Sequence, residues 1–199
     1  MYKRFYKKMK KEDLLKKLRE NTSQEFDLPE IKVNAITYPD VIKQYIAMSK
    51  EVGCNVIEID KTEDVNATIR KIYPDAKVYC SNVKGIKANI NPDTVKDAAC
   101  LDGVDVGIVK GEIAVAENGC VWIPQTMKER AVCFISEALV IIIDKEKVVN
   151  NMHEAYKKIE MPSYGFGTFI SGPSKTADIE QALVMGAQAA KDVTILIRA

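Results

Sequence analysis

Two short stretches of the chain hold polar residues in an order that chemistry can use. The first runs Gly111-Glu112-Ile113-Ala114-Val115-Ala116-Glu117-Asn118-Gly119-Cys120-Val121-Trp122-Ile123. Its apolar Ala-Val-Ala run stops at Glu117, and Asn118-Gly119 is a strong turn signal. A carboxylate held beside a turn at a strand end can serve as general base, nucleophile or acceptor for a hydroxyl. The plainer alternative is an exposed glutamate at a hairpin corner. The second stretch runs Phe169-Ile170-Ser171-Gly172-Pro173-Ser174-Lys175-Thr176-Ala177-Asp178-Ile179-Glu180. Gly172 permits a sharp turn or a close backbone approach, and Pro173 stiffens it. Ser171, Ser174 and Thr176 offer hydroxyls and Lys175 a cation, a set suited to an anion. The spacing of Ile179, Ala182, Leu183 and Gly186 predicts a helix over 177–187, whose first amides would add to that attraction. Asp178 and Glu180 would already complement the dipole of such a helix, so a well-capped strand-to-helix junction is the competing reading. GxxxxGK is absent, which excludes a P-loop.

The elements that must position these stretches follow from periodicity. A helix begins after Pro39, with Val41, Ile42, Tyr45, Ile46 and Met48 as its apolar set, and stops at Gly53. Strand 55–59, helix 63–72 and, after Pro74-Asp75, strand 77–81 come next. The polar stretch NVKGIKANINPDTVKDAA reads as a long loop. Strand 104–109 leads into extended pieces at 114–115 and 121–123, then a short helix near Arg130, a buried strand 139–143 and a helix over 150–160. Strand 166–171, the helix over 177–187 and strand 193–197 close the chain. Strands alternating with helices of about ten residues give an α/β domain with a mainly parallel sheet and helices on both faces. Ligands of such sheets bind beyond the carboxyl ends of the strands, and both polar stretches are expected there.

Composition narrows the function classes. The chain has 199 residues, 47% apolar and 29% charged, enough to bury a core without disulfides or metal. Its longest apolar run, 138–143, is far short of the roughly 20 residues that span a bilayer. The start, MYKRFYKKMKK, has no apolar region behind it and does not read as a secretory signal. A cytoplasmic location is the expectation. Five cysteines, at 54, 80, 100, 120 and 133, form no CxxC pair. That leaves no iron–sulfur or zinc-ribbon spacing, and reduced, buried thiols are expected. The single histidine, His153, lies in the polar run NNMHEAYKKIE, so a histidine-based metal site would rest on it alone.

Charge is unevenly spread. Residues 1–19 carry nine basic and two acidic side chains, a net of +7 in a chain whose total is +1, which leaves the remainder acidic. Residues 1–22 read as a basic amino-terminal helix and 23–199 as one α/β domain. Such an arm suits nucleic acid, anionic lipid or an acidic partner. The alternative is a solvated helix whose Phe5, Met9, Leu14, Leu15 and Leu18 dock on the body.

Taken in order, DVGIVKGEIAVAENGC and ISGPSKTADIEQALVMG resemble the lactate-utilisation protein C family, the LUD domain. There the pattern runs D-V-G-I, A-E-T-G-S, S-G-P-S-R-T-A-D-I-E and then L-V-x-G. The resemblance covers about residues 100–199 and is most specific over GPSKTADIE. It implies a fold like that of the sugar-phosphate isomerase and CoA-transferase group, and a place beside iron–sulfur subunits that together oxidise L-lactate to pyruvate. No cofactor would sit in this chain, and the clusters would belong to the partner subunits. Ser171, Gly172, Ser174, Lys175 and Thr176, with Asn118 and Gly119, would bind a small anion or nucleotide, while Glu117 and Asp178 position hydroxyls. Iron–sulfur subunits and a small anionic ligand are the expected partners, with a homodimer left open and neither nucleic acid nor membrane expected. Two departures stand out. The family's H-G-P is replaced by Ala187-Gln188-Ala189-Ala190, and Asn118 stands where Thr is usual. The second makes Glu117-Asn118-Gly119 similar to the S-E-N-G signature of class I CoA-transferases, whose Glu forms the acyl–enzyme link. A stand-alone thioester-acting enzyme using Glu117 is therefore the alternative, and a non-catalytic scaffold docking through the basic arm a further one.

Overall fold

The strongest apolar runs of the sequence become the middle of a sheet. The computed structural model describes residues 10–21, 32–160, 165–179 and 182–199. These fall in two units, 1–34 and 35–199. In the first, α1 (Lys11–Glu20) has Glu12 and Asp13 in its first turn and Lys17 and Arg19 in its last, both favourable to the helix dipole. Phe5 and Met9 of the expected apolar stripe lie outside the described residues.

The second unit is organised on five strands: β1 (Asn55–Ile59), β2 (Tyr79–Cys80), β3 (Val106–Lys110), β6 (Ala138–Asp144) and β11 (Asp192–Arg198). They stand in the order β1-β11-β6-β3-β2, and every pair is parallel. Both faces of such a sheet are buried, which is why VIII and ILI read as unbroken apolar runs. Successive side chains alternate between two cores. Ile141, Ile143, Ile195 and Ile197 meet Tyr45 of α2 (Val41–Glu51) on one face. Val140, Ile142, Ile108 and Leu196 meet Ile69 of α3 (Val65–Ile72) on the other. Asp40 and Asp64 cap these helices, accepting from the amides of Lys43 and Asn66 at 2.9 Å each.

A second, four-stranded sheet covers the α2 side. It consists of β4 (Ile113–Val115), β5 (Val121–Pro124), β7 (Val148–Val149) and β8 (Gly167–Ile170), in the order β7-β4-β5-β8. Ala114, Val121 and Ile123 face the main core. Val115, Trp122 and Val149 face a smaller one with Ala155 of α5 (Met152–Lys158). The short helix expected near Arg130 is α4 (Val132–Ile135). No helix among the described residues is long and apolar enough to cross a membrane.

One expected element is replaced. In place of a helix over 177–187 the chain forms a hairpin of β9 (Lys175–Ile179) and β10 (Ala182–Met185), with Thr176 opposite Val184 and Lys175 opposite Met185. The amide of Gly186 donates to the oxygen of Ser174 at 3.0 Å and closes the hairpin's base. Strand pairing here overrides the helix propensity of Ala, Gln, Leu and Met. The helix start invoked for anion attraction is therefore absent from the second polar stretch. The strand expected over 77–81 is shortened to two residues, since the amides of Lys77 and Val78 bond the Asp105 carboxylate (2.7 and 2.8 Å).

Candidate functional site

The first motif is a tight corner between β4 and β5. Gly119 donates its amide to Val115 O and Val115 donates to Cys120 O, both at 2.9 Å. Asn118 Oδ1 accepts from the Cys120 amide at 3.2 Å. Gly119 adopts φ +67°, and a Cβ there would stand 3.0 Å from the main-chain nitrogen of Ser49. The corner is thus pressed against the last turn of α2, where only glycine fits both the conformation and the space. Glu117, exposed at the corner, turns the other way: its Oε2 accepts from the Met152 amide at 3.0 Å, at the start of α5.

The second motif packs against the end of the same helix. Gly172 has φ +76°, and a Cβ on it would lie 2.4 Å from Val52 O. Pro173 is buried, and the amide of Ser174 donates to Ala190 O at 2.9 Å. Lys175 Nζ donates to Val52 O at 2.5 Å, placing a cation on the carboxyl end of α2 where the helix dipole favours it. Ser171 Oγ donates to Asn118 O at 2.9 Å and joins the two motifs directly. The structure so gathers Asn118, Gly119, Ser171, Gly172 and Lys175 at the end of α2, while Glu117 faces the start of α5 and Ser174 the turn before β11. Thr176 and Asp178 follow the backbone of β9 out along the hairpin, and the Asp178 side chain is outside the described residues.

The position of this junction corrects one expectation. Its loops leave the carboxyl ends of β4 and β8, strands of the smaller sheet. Val52 and Ala190, which they touch, stand just ahead of β1 and β11. The junction therefore lies at the amino edge of the parallel sheet, because the intervening small sheet carries the motif loops back along α2.

Buried thiols lie beside the junction. Burial pushes the Cys54 thiol up to about 11, with the Lys175 cation and the Gly172 amide pulling the other way. Burial likewise raises Cys120 to about 12. Both stay protonated at neutral pH, so neither supplies a thiolate nucleophile. The exposed carboxylate of Glu117 and the hydroxyls and cation of the second motif are left as the groups that can meet a ligand. His153 is exposed on α5, and among the described residues no three His, Cys, Asp or Glu side chains are grouped to hold a metal ion.

A charged cluster at the opposite edge of the parallel sheet escaped the sequence reading. Arg198 Nε and Nη2 donate to Asp144 Oδ1 (3.0 and 2.7 Å), and Lys110 Nζ meets Oδ2 at 3.0 Å. Burial alone would raise the Asp144 carboxyl, but the two cations override it and hold it below its ordinary value. Parallel register puts Asp144 beside Arg198 and Ile142 beside Lys110. The signal was present in the sequence: each apolar run, GIV, VIII and ILI, closes on a charged residue.

Comparison with known proteins places these features in context. Residues 95–197 match the LUD domain. A protein named lactate utilization protein C from a Geobacillus species is 34% identical over 180 residues, covering 84% of this chain and 70% of that one. Another of that name from Shouchella clausii is 35% identical over 103 residues, 48% of this chain and 44% of its own. An uncharacterized protein of Neisseria meningitidis is 29% identical over 120 residues, 58% of this chain and 51% of its own. In matches of the latter kind the chain spans about half the length of the curated relative. A crystal structure of a DUF162 family protein from Deinococcus radiodurans has the same fold, with a TM-score of 0.64 at 10% identity, over 83% of this chain and all of that one.

Proposed function

Because this chain belongs to the LUD domain family, we propose that it acts in lactate utilisation, as a subunit without a cluster of its own beside iron–sulfur proteins that carry the electrons. The junction of the two motifs is, in this reading, its site for a small organic anion. The observation that carries the reading is the hydrogen bond from Ser171 to Asn118, which brings two motifs far apart in sequence to one place. Lys175 supplies the cation: an ammonium has three hydrogens, and only one is needed for Val52 O. Ser174 adds a hydroxyl from the turn just before it, while Thr176 lies on the strand that leaves the junction. Glu117, with Oε2 on the Met152 amide, can still accept a hydroxyl through its second oxygen.

The test is genetic and chemical together. Cells that carry this protein should lose growth on L-lactate when it is deleted, and regain it with the wild-type chain but not with a folded Lys175→Ala variant. Undiminished growth of the deletion strain would contradict the assignment.

A second reading draws on the exposure and fixed direction of Glu117. A Glu117 carboxylate oxygen would attack an acyl-CoA thioester carbonyl, forming an acyl-glutamyl anhydride and releasing CoA as the thiolate. Incubation with acyl-CoA followed by hydroxylamine should then leave a hydroxamate on Glu117. Its absence across a panel of thioesters would end that reading.

A further inference from the structure

Helix α1 and the residues ahead of it carry a pattern that neither the sheets nor the motif junction uses. α1 is ten residues long, has no side-chain cap at its start and buries none of its residues. A helix this short is marginal in water unless a surface takes up one of its faces. At about 100° per residue, Leu14, Leu15 and Leu18 fall on one side of it, within an arc of about 100°. They are 47%, 40% and 54% exposed. Lys11 shares that arc one turn earlier, Lys17 borders it on one flank, and Arg19 with Glu12 borders it on the other. Asp13, Lys16 and Glu20 lie on the far side.

Most of the charge lies ahead of the helix. Residues 1–10, MYKRFYKKMK, hold five cations and no acid, interleaved with Tyr2, Phe5 and Tyr6. The helix itself has four cations against three acids, and from residue 20 onward the chain is net acidic. Cations attract any polyanion, so the leucines decide the partner. Nucleic acid would take up the lysines and leave the apolar stripe in water. A coiled-coil seam needs about three heptads, more than ten residues supply. Helices that bind a protein groove space their anchors over two turns, whereas these leucines span one. An anionic bilayer surface meets both demands. Its headgroups pair with the cations, and its acyl boundary takes up the apolar stripe of a helix lying flat. Tyrosine and phenylalanine suit the layer between the two. Crossing a bilayer is a different demand, and no helix among the described residues is long and apolar enough for it.

We propose that α1 and the basic residues ahead of it bind the surface of an anionic membrane, with Leu14, Leu15 and Leu18 at the acyl boundary and the cations of residues 3–19 among the headgroups. The family resemblance implied no membrane partner; this surface is carried by residues 1–20 and does not depend on the function assigned to the motif junction.

The test is co-sedimentation of the full chain with two sets of vesicles, one of phosphatidylcholine alone and one with a third of its lipid replaced by phosphatidylglycerol. Partition into the anionic vesicles should be at least tenfold stronger than into the neutral ones, and should fall at least tenfold in half-molar salt. At low salt it should also fall at least tenfold in Leu15→Ser/Leu18→Ser, which keeps every charge, and in Lys7→Gln/Lys8→Gln, which keeps the leucines. Both variants should unfold at the wild-type Tm, so the loss would not come from the α/β unit. No partition into anionic vesicles, or equal partition of the leucine variant, would overturn the proposal. Equal partition into neutral vesicles would overturn the role of the cations. Low-salt binding of a single-stranded RNA that is equal in wild type and the leucine variant, without vesicle binding, would reassign the surface to nucleic acid.

Discussion

Ser171 donates its hydroxyl to the main-chain oxygen of Asn118 at 2.9 Å, across 53 residues of sequence. That bond joins the two polar stretches directly. Ser171→Ala removes it while leaving both turns able to form. A net loss of about 0.5–1.5 kcal/mol is expected for one hydrogen bond. Each kcal/mol lowers Tm by about 2–4 °C in a domain of this size. Thermal unfolding checks it. An unchanged Tm would mean that the loops are held together by packing alone.

Gly172 is under a stricter demand. Its φ is +76° and the space for a Cβ is taken by Val52 O at 2.4 Å. Gly172→Ala should cost about 1–3 kcal/mol for the strained backbone, and more for the displaced helix end. Denaturant unfolding should show a reduced midpoint with an unchanged slope.

Glu117 allows structure and chemistry to be separated. Its carboxylate holds the Met152 amide at 3.0 Å, and a glutamine oxygen can do the same. Glu117→Gln should melt within a degree or two of wild type, while Glu117→Ala should melt lower. If the thioester reading holds, Glu117→Gln abolishes the hydroxamate despite normal stability.

The thiols give a prediction with a sign. Cys54, Cys80, Cys120 and Cys133 are buried and Cys100 is exposed. In the native protein one thiol of five should react rapidly with a chromogenic disulfide reagent, and all five in denaturant. Burial raises Cys54 and Cys80 to about 11 and Cys120 and Cys133 to about 12. An unfolded thiol ionises near 8.5. The native state thus binds protons more tightly, so stability from these groups is complete below about pH 8.5 and is lost as pH rises toward 11–12. Denaturation midpoints should fall between pH 8 and pH 10.5. A flat profile over that interval would contradict the burial of these groups.

Much of this architecture was legible in the sequence, for reasons that single residues make plain. Pro39 marked the start of α2, where Asp40 accepts a first-turn amide, whereas α3 starts at Val65 behind its Asp64 cap and not at 63 as expected. The corner at Asn118-Gly119 was legible because the left-handed conformation it requires restricts the residue. The hairpin after Ser174 was not, since Ile179, Ala182, Leu183 and Gly186 satisfy helical spacing while the pairing of Thr176 with Val184 is set by the fold around it. The small sheet was only half visible, as strands of two to four residues are too short to show a period. The cluster of Lys110, Asp144 and Arg198 was hidden for another reason: strand register alone brings residues together that no motif links.

The junction of the two motifs is proposed to bind a small organic anion. Its most direct test is thermal unfolding of the purified chain against lactate, pyruvate, nucleotides and CoA esters, repeated with Lys175→Ala and Ser174→Ala. A ligand at a hundred times its Kd adds about 2.7 kcal/mol, which is easily seen in a melt. Lactate or pyruvate should raise Tm, and the rise should be lost in both variants. No rise with either anion, or a rise that survives in Lys175→Ala and Ser174→Ala alike, would contradict it.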